Sequence, residues 1–177
     1  MTARPEFSRP VRAEQVPMAG TEHRIEASES ERRALAERFG ILAVNRLTAA
    51  VRLKPFRGGE LIRVTGSLSA EVVQACVVTL EPVPGAVEEE FQVTFGPDDG
   101  DEGEEIDISL DDEDVPDPMI GGIIDIGEVV AEHLALGLDP FPRKRGARLS
   151  KARAESEDTD EKPNPFAVLE RLRQKKE

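Results

Sequence analysis

Three side chains could do soft nucleophilic or acid–base chemistry near neutral pH: the single cysteine, Cys76, and the two histidines, His23 and His133, in a chain of 177 residues. A thiol enzyme would need one of those imidazoles beside the sulfur to take its proton. One cysteine excludes internal disulfides, a CxxC redox pair and thiolate-rich zinc clusters, and it fits a reducing, cytoplasmic setting. Cys76 lies between Ala75 and Val77 in an apolar run that reads as a strand, so the first expectation is a small buried hydrophobe. The competing reading is a reactive thiol, in a thiol-based enzyme or a redox sensor. His133 falls on the apolar stripe of a helix, where a core or boundary histidine is expected. Phosphate-cradling GxxxxGK, zinc-binding HExxH and nucleophilic GxSxG sequences are missing. The chain is therefore expected not to be an enzyme, with no catalytic residue, metal, cofactor or small-molecule substrate assigned.

Charge offers a different kind of chemistry. Lys and Arg total 23 against 36 Asp and Glu, a net −13, which excludes a surface that is basic all round. Contact with nucleic acid must be local or made through another protein. Seven Phe with no Trp or Tyr leave few rings for stacking on bases. Arg143, Lys144, Arg145, Arg148, Lys151 and Arg153 form one cationic segment without an acid, able to displace counterions from RNA. The alternative is pairing with the chain's own acids, including Glu155 to Glu161 just beyond. Between Pro97 and Pro118 stand twelve Asp and Glu and no Lys or Arg. Such a run is expected to be a solvated loop, or a polyanion mimic that holds a basic protein. Its Asp99-Gly100-Asp101 is too little for a calcium loop.

The elements that must position these groups follow from apolar spacing. Glu6 to Arg12 reads as an edge strand, since Pro10 lacks an amide proton. Ser28-Glu29-Ser30-Glu31 is a capping box that opens a helix carrying Leu35 and Phe39 on one face, a Glu29–Arg33 pair, and Gly40 at its close. The period then changes to two, with strands expected at Leu42 to Leu53, Leu61 to Leu68, Val72 to Leu80 and Ala86 to Phe95. In the last, Phe91, Val93 and Phe95 point one way and Glu90, Gln92 and Thr94 the other. Ile106, Ile108 and Leu110 could add a brief strand. Asp125-Ile126-Gly127-Glu128 reads as a second capping box before a helix with Ile126, Val129, Val130, His133, Leu134 and Gly137 on one stripe. The resulting fold class is α+β: a mostly antiparallel sheet of about five strands, open or curled toward a barrel, covered by two helices. A two-layer sandwich with peripheral helices is the alternative. The domain is expected over residues 1–142, with the acidic loop at 97–118, a charged flexible linker at 143–163, and a short helix at 164–177. Asn164, Pro165, Phe166, Leu169 and Leu172 mark that last helix, which is too short to stand alone in water and should dock on something. Neither a secretory signal nor a membrane-spanning run is expected, Met119 to Ile124 being far too short.

Gln74-Ala75-Cys76-Val77-Val78-Thr79-Leu80-Glu81-Pro82, with the strand ending Phe91-Gln92-Val93-Thr94-Phe95, resembles the YceD family, the large ribosomal RNA subunit accumulation proteins. The acidic segment before Ile124-Asp125-Ile126-Gly127-Glu128-Val129-Val130 agrees with it. So do the helix exit Leu136-Gly137-Leu138-Asp139-Pro140-Phe141-Pro142 and the closing Pro163-Asn164-Pro165-Phe166-Ala167-Val168-Leu169. Together these cover most of residues 41–174; the first forty add only general similarity. The resemblance implies a non-enzymatic factor for 23S ribosomal RNA accumulation, in processing or assembly of the large ribosomal subunit. Its expected partners are a large-subunit ribosomal RNA precursor or a ribosomal protein. The charge layout suggests an adaptor between RNA and protein, with the basic segment and Phe166, Leu169 and Leu172 as contacts. A chaperone-like binder of one basic ribosomal protein is the alternative. Many relatives carry a second cysteine two or three residues after the position of Cys76, and some a further cluster after the second helix. Here those places hold Val78, Thr79 and Pro142 to Arg148, so the resemblance does not bring a metal site.

Overall fold

A computed structural model describes residues 5–97 and 116–148. The chain divides into two units, Met1–Lys144 and Arg145–Glu177. In the second, only residues 145–148 are described, and they carry a turn at Arg145 and Gly146. The expected linker beyond residue 148, the closing helix at 164–177 and the brief strand at 106–110 lie outside the described residues.

In the first unit the elements run β1 (Pro10–Arg12), β2 (Thr21–Glu26), α1 (Glu29–Phe39), β3 (Ala43–Phe56), β4 (Leu61–Ala75), β5 (Pro82–Pro97), β6 (Asp117–Met119), β7 (Ile123–Asp125) and α2 (Ile126–Leu136). The architecture is α+β. A five-stranded sheet in the order β2-β3-β4-β5-β6 is antiparallel except for the last pair, and β1 pairs with β7 in a separate two-stranded ribbon. The main sheet does not curl into a barrel. It ends in two edges, β2 and the three-residue β6, too far apart in the order to pair.

Strand periodicity separates the two faces. Leu47, Val51, Leu53, Ile62, Val64 and Leu68 point to one side, where they join Leu35, Val130 and Leu134 in a single buried cluster. α1 packs against β3, and α2 against β4 and β5. No polar or charged residue is buried among the described residues. Among the described residues no helix covers the opposite face.

Several boundaries differ from expectation for local reasons. Leu61 to Leu68 and Val72 to Leu80 are one strand as far as Ala75, because Ser69-Ala70-Glu71 continues the alternation and pairs without a break against Leu47, Thr48 and Arg46. The chain after Ala75 is a turn, closed by the Leu80 N–H donating to Cys76 O at 2.9 Å, so Cys76 does not sit within a strand. β2 escaped the periodicity because Ile25 is its one strongly apolar residue. The first strand shrinks to Pro10–Arg12 and pairs with β7 away from the main sheet, and Asp117 and Pro118, expected in the loop, belong to β6.

The two helix starts also diverge. At α1 the box closes: the Ser28 hydroxyl accepts from the Glu31 N–H, and Glu31 accepts from the Ser28 N–H at 2.8 Å. Gly40 ends the helix in the left-handed region, and Glu29 meets Arg33 at 3.0 Å. At α2 the Asp125 carboxylate accepts from the Gly127 and Glu128 N–H groups, but Glu128 does not reach back. Its carboxylate takes two bonds from the Arg38 guanidinium, at 2.6 and 2.9 Å, and so ties the two helices together. The second box is therefore half a box, since a guanidinium is a stronger donor to a carboxylate than a peptide N–H.

Candidate functional site

Three segments meet at Cys76: the end of β4, the turn that follows it, and the chain leaving α2. Gln74 Nε2 donates to Asp139 O at 2.8 Å, and the Val77 N–H donates to Pro142 O at 2.9 Å. The Lys144 N–H donates to Cys76 Sγ at 3.4 Å, and Lys144 Nζ pairs with Glu81 at 2.7 Å. The exit from α2 is thus pinned to the domain as far as Lys144.

The sulfur has no exposed surface. It accepts from the Lys144 N–H, the Thr79 hydroxyl, and the Thr79 and Val78 peptide N–H groups, which together bring its pKa down to about 6 against the opposing effect of burial. Peptide and hydroxyl donors favour the thiolate, and no imidazole is among these partners. A covered thiolate of this kind can anchor a backbone but offers a reagent no approach. Val78, Thr79 and Lys144 thus all supply hydrogen bonds to the one sulfur.

His133 lies elsewhere, stacked on Phe91 with ring centroids 4.6 Å apart, and burial lowers its pKa while Glu89 acts against that. Among the described residues no three His, Cys, Asp or Glu side chains gather as a metal would require. No described helix is long and apolar enough to cross a membrane.

Of the residues expected to contact RNA or a partner, Arg143, Lys144, Arg145 and Arg148 are exposed. Lys144 shares its charge with Glu81, each side chain being half exposed. Lys151, Arg153, Phe166, Leu169 and Leu172 lie outside the described residues.

The sequence reading passed over the helix-free face of the sheet. A trough runs across it, floored by Thr48, Ala50, Ser67 and Ser69 of β3 and β4. Arg24, Glu26 and Arg46 stand on one side, and Glu88 and Glu90 on the other. The signal was present in the alternation of β3, where small or cationic residues at 46, 48, 50, 52 and 54 interleave with Leu47, Val51 and Leu53.

Residues 64–173 match the family model described as Large ribosomal RNA subunit accumulation protein YceD. The chain belongs to the YceD family. The YceD match begins at Val64 in β4 and takes in the Cys76 turn, β5, α2, the pinned exit and the chain beyond it to Arg173. Everything from β1 to β3 precedes it. No curated protein and no solved structure matches the chain.

Proposed function

We propose that the chain is a non-enzymatic, cytoplasmic factor for 23S ribosomal RNA accumulation, acting in processing or assembly of the large ribosomal subunit as an adaptor between RNA and protein. The observation that carries this reading is the extent of the YceD match, which does not stop with the folded domain but continues through the basic segment to residue 173. Supporting it, the domain holds the start of that segment by Val77, Cys76 and Glu81, so the four cations Arg145, Arg148, Lys151 and Arg153 follow directly on an anchored point of a strongly acidic molecule. At physiological salt, screening over about 8 Å lets such a segment meet phosphate locally despite a net charge of −13. The Cys76 sulfur serves in this reading to hold the exit, not to attack a substrate.

The test is co-sedimentation with large-subunit precursors at low salt. The full-length chain is expected in the precursor fractions, and replacing Arg145, Arg148, Lys151 and Arg153 with Gln should weaken that association while leaving the Lys144 anchors intact. Equal behaviour of the two chains removes the basic segment from the account. A second reading, a chaperone-like binder of one basic ribosomal protein, draws on the exposed run Glu88, Glu89 and Glu90 in β5. It requires the association to survive nuclease treatment.

A further inference from the structure

The sheet's helix-free face changes character toward the hairpin that joins β3 to β4. Arg52 and Lys54 of β3 and Arg63 of β4 project from it, and Lys54 and Arg63 are direct cross-strand partners. Like charges in that position repel at close range, because facing Cβ atoms are only about 5 Å apart. Elsewhere on the domain several arginines have acids: Arg9 meets Glu31, Arg33 meets Glu29, and Arg38 meets both Glu6 and Glu128. Among the described residues no carboxylate forms an ion pair with Arg52, Lys54 or Arg63. Glu22, the cross-strand neighbour of Arg52, is turned to Arg24 at 3.6 Å. In a chain with 36 acids to 23 bases, three neighbouring cations that meet no carboxylate among the described residues stand apart from those pairs.

Arg63 is also held in place. Its guanidinium lies 4.7 Å from the centre of the Phe56 ring, and its Nε is buried with no hydrogen-bond acceptor. Stacking fixes the plane of the fork, an arrangement suited to phosphate. Thr65 and Gln92 continue the Arg52 row, and Thr94 continues the Lys54–Arg63 row. These are neutral hydrogen-bonding neighbours, without the apolar patch that a protein or lipid surface would want. Adjacent strands about 4.8 Å apart and same-face residues about 6.7 Å apart set the cations on the scale of successive phosphates along one strand.

We infer that this end of the open sheet face, through Arg52, Lys54 and Arg63, binds the phosphate backbone of RNA. The inference deepens the proposed function and rests on it, adding a folded contact remote in sequence from the basic segment. Two points of attachment on one molecule explain how a strongly acidic protein engages a polyanion at all, each being local and each salt-sensitive.

The full-length chain, its R52Q/K54Q variant and an R33Q control should be titrated against a short labelled transcript of 23S ribosomal RNA over a series of salt concentrations. The double variant is expected to bind about tenfold more weakly at low salt, with the slope of log K against log salt reduced by about 1.4 to 1.8 for two lost phosphate contacts. R33Q, on the exposed side of α1, should bind as the wild type does. The thermal midpoint of R52Q/K54Q should match or exceed the wild type, since a repulsion has been removed, which separates lost contact from lost fold. Unchanged affinity and slope in R52Q/K54Q would overturn the inference, as would an equal loss in R33Q. Patch-dependent association with precursors that persists after nuclease treatment would give the surface to a protein and also overturn it. If the wild type co-sediments with precursors while R52Q/K54Q keeps its RNA affinity, only this inference fails; absence of co-sedimentation by the wild type strikes the proposed function itself.

Discussion

The two faces of the five-stranded sheet are made by alternate residues of the same strands, yet they obey different rules. On the covered face Leu47, Val51, Leu53, Ile62 and Val64 have 1% of their surface exposed or less, and the helices above them are joined by the Arg38–Glu128 pair. On the open face the same strands present Thr48, Ala50, Ser67 and Ser69, then Arg52, Lys54 and Arg63, which form no ion pair with a carboxylate among the described residues. Burial and neutralised charge mark the face that holds the fold together. Small floors, and cations that no described carboxylate meets, mark a face that contributes little to holding the domain together, and such a face is where a partner's chemistry is legible.

Breaking the covered face should have the largest effect. Leu47→Ala is expected to lower stability by about 2–5 kcal/mol in denaturant unfolding, whereas Ser67→Ala on the open face should change it by less than about 0.5 kcal/mol. Similar losses from both would dissolve the distinction. Close in size is Gly127→Ala in α2, where a Cβ would collide with the Phe7 carbonyl oxygen and come 3.0 Å from the Arg9 nitrogen. Backbone cannot yield as a side-chain tip does, so about 2–3 kcal/mol should be lost, visible as a lower thermal midpoint.

A smaller effect belongs to Arg9, which donates to Glu31 at 2.6 and 3.1 Å and spans from the first ribbon to α1. The Arg9 guanidinium beside it, with the Ser28 bonds, draws the Glu31 carboxyl down to about 2. A depressed carboxyl contributes its stability in full above the unfolded value near 4.5 and loses it as pH falls toward about 2. Arg9→Ala should therefore cost about 1–2 kcal/mol at neutral pH, after allowance for solvent screening of a partly exposed pair, and much less at pH 2. A pH-independent difference would place the role of Arg9 in its contact with Phe7 instead.

The smallest expected change concerns Cys76, which joins the covered domain to the exit of the chain. Alkylation of the native protein should be slow despite the lowered pKa, and should accelerate on unfolding, because cover and not ionisation limits the reagent. Fast native labelling that follows thiolate formation near pH 6 would restore the thiol-enzyme or redox-sensor reading.

What could be read from sequence was whatever short-range spacing encodes. The Ser28 to Glu31 box, the Leu35 face and the alternation of Phe91, Val93 and Phe95 are local patterns, and all appear as expected. Glu128 could not be anticipated, because its choice of Arg38 over the Asp125 N–H depends on two helices meeting ninety residues apart. β2 is polar at every position but Ile25 and gains its place by pairing with β3, a long-range contact that composition does not announce. Cys76 was rightly expected to be buried, but the donors around it come from Thr79 and from Lys144, and only folding brings the latter near. The cations at 52, 54 and 63 were individually unremarkable in sequence; the register that sets Lys54 against Arg63 makes them a group.

The most direct measurement is the amount of mature 23S ribosomal RNA, relative to small-subunit ribosomal RNA, in cells from which this protein has been removed and then restored. The account predicts a fall in 23S RNA with precursor accumulation, reversed by the wild-type chain. Ordinary amounts of 23S RNA in cells lacking the protein would contradict it.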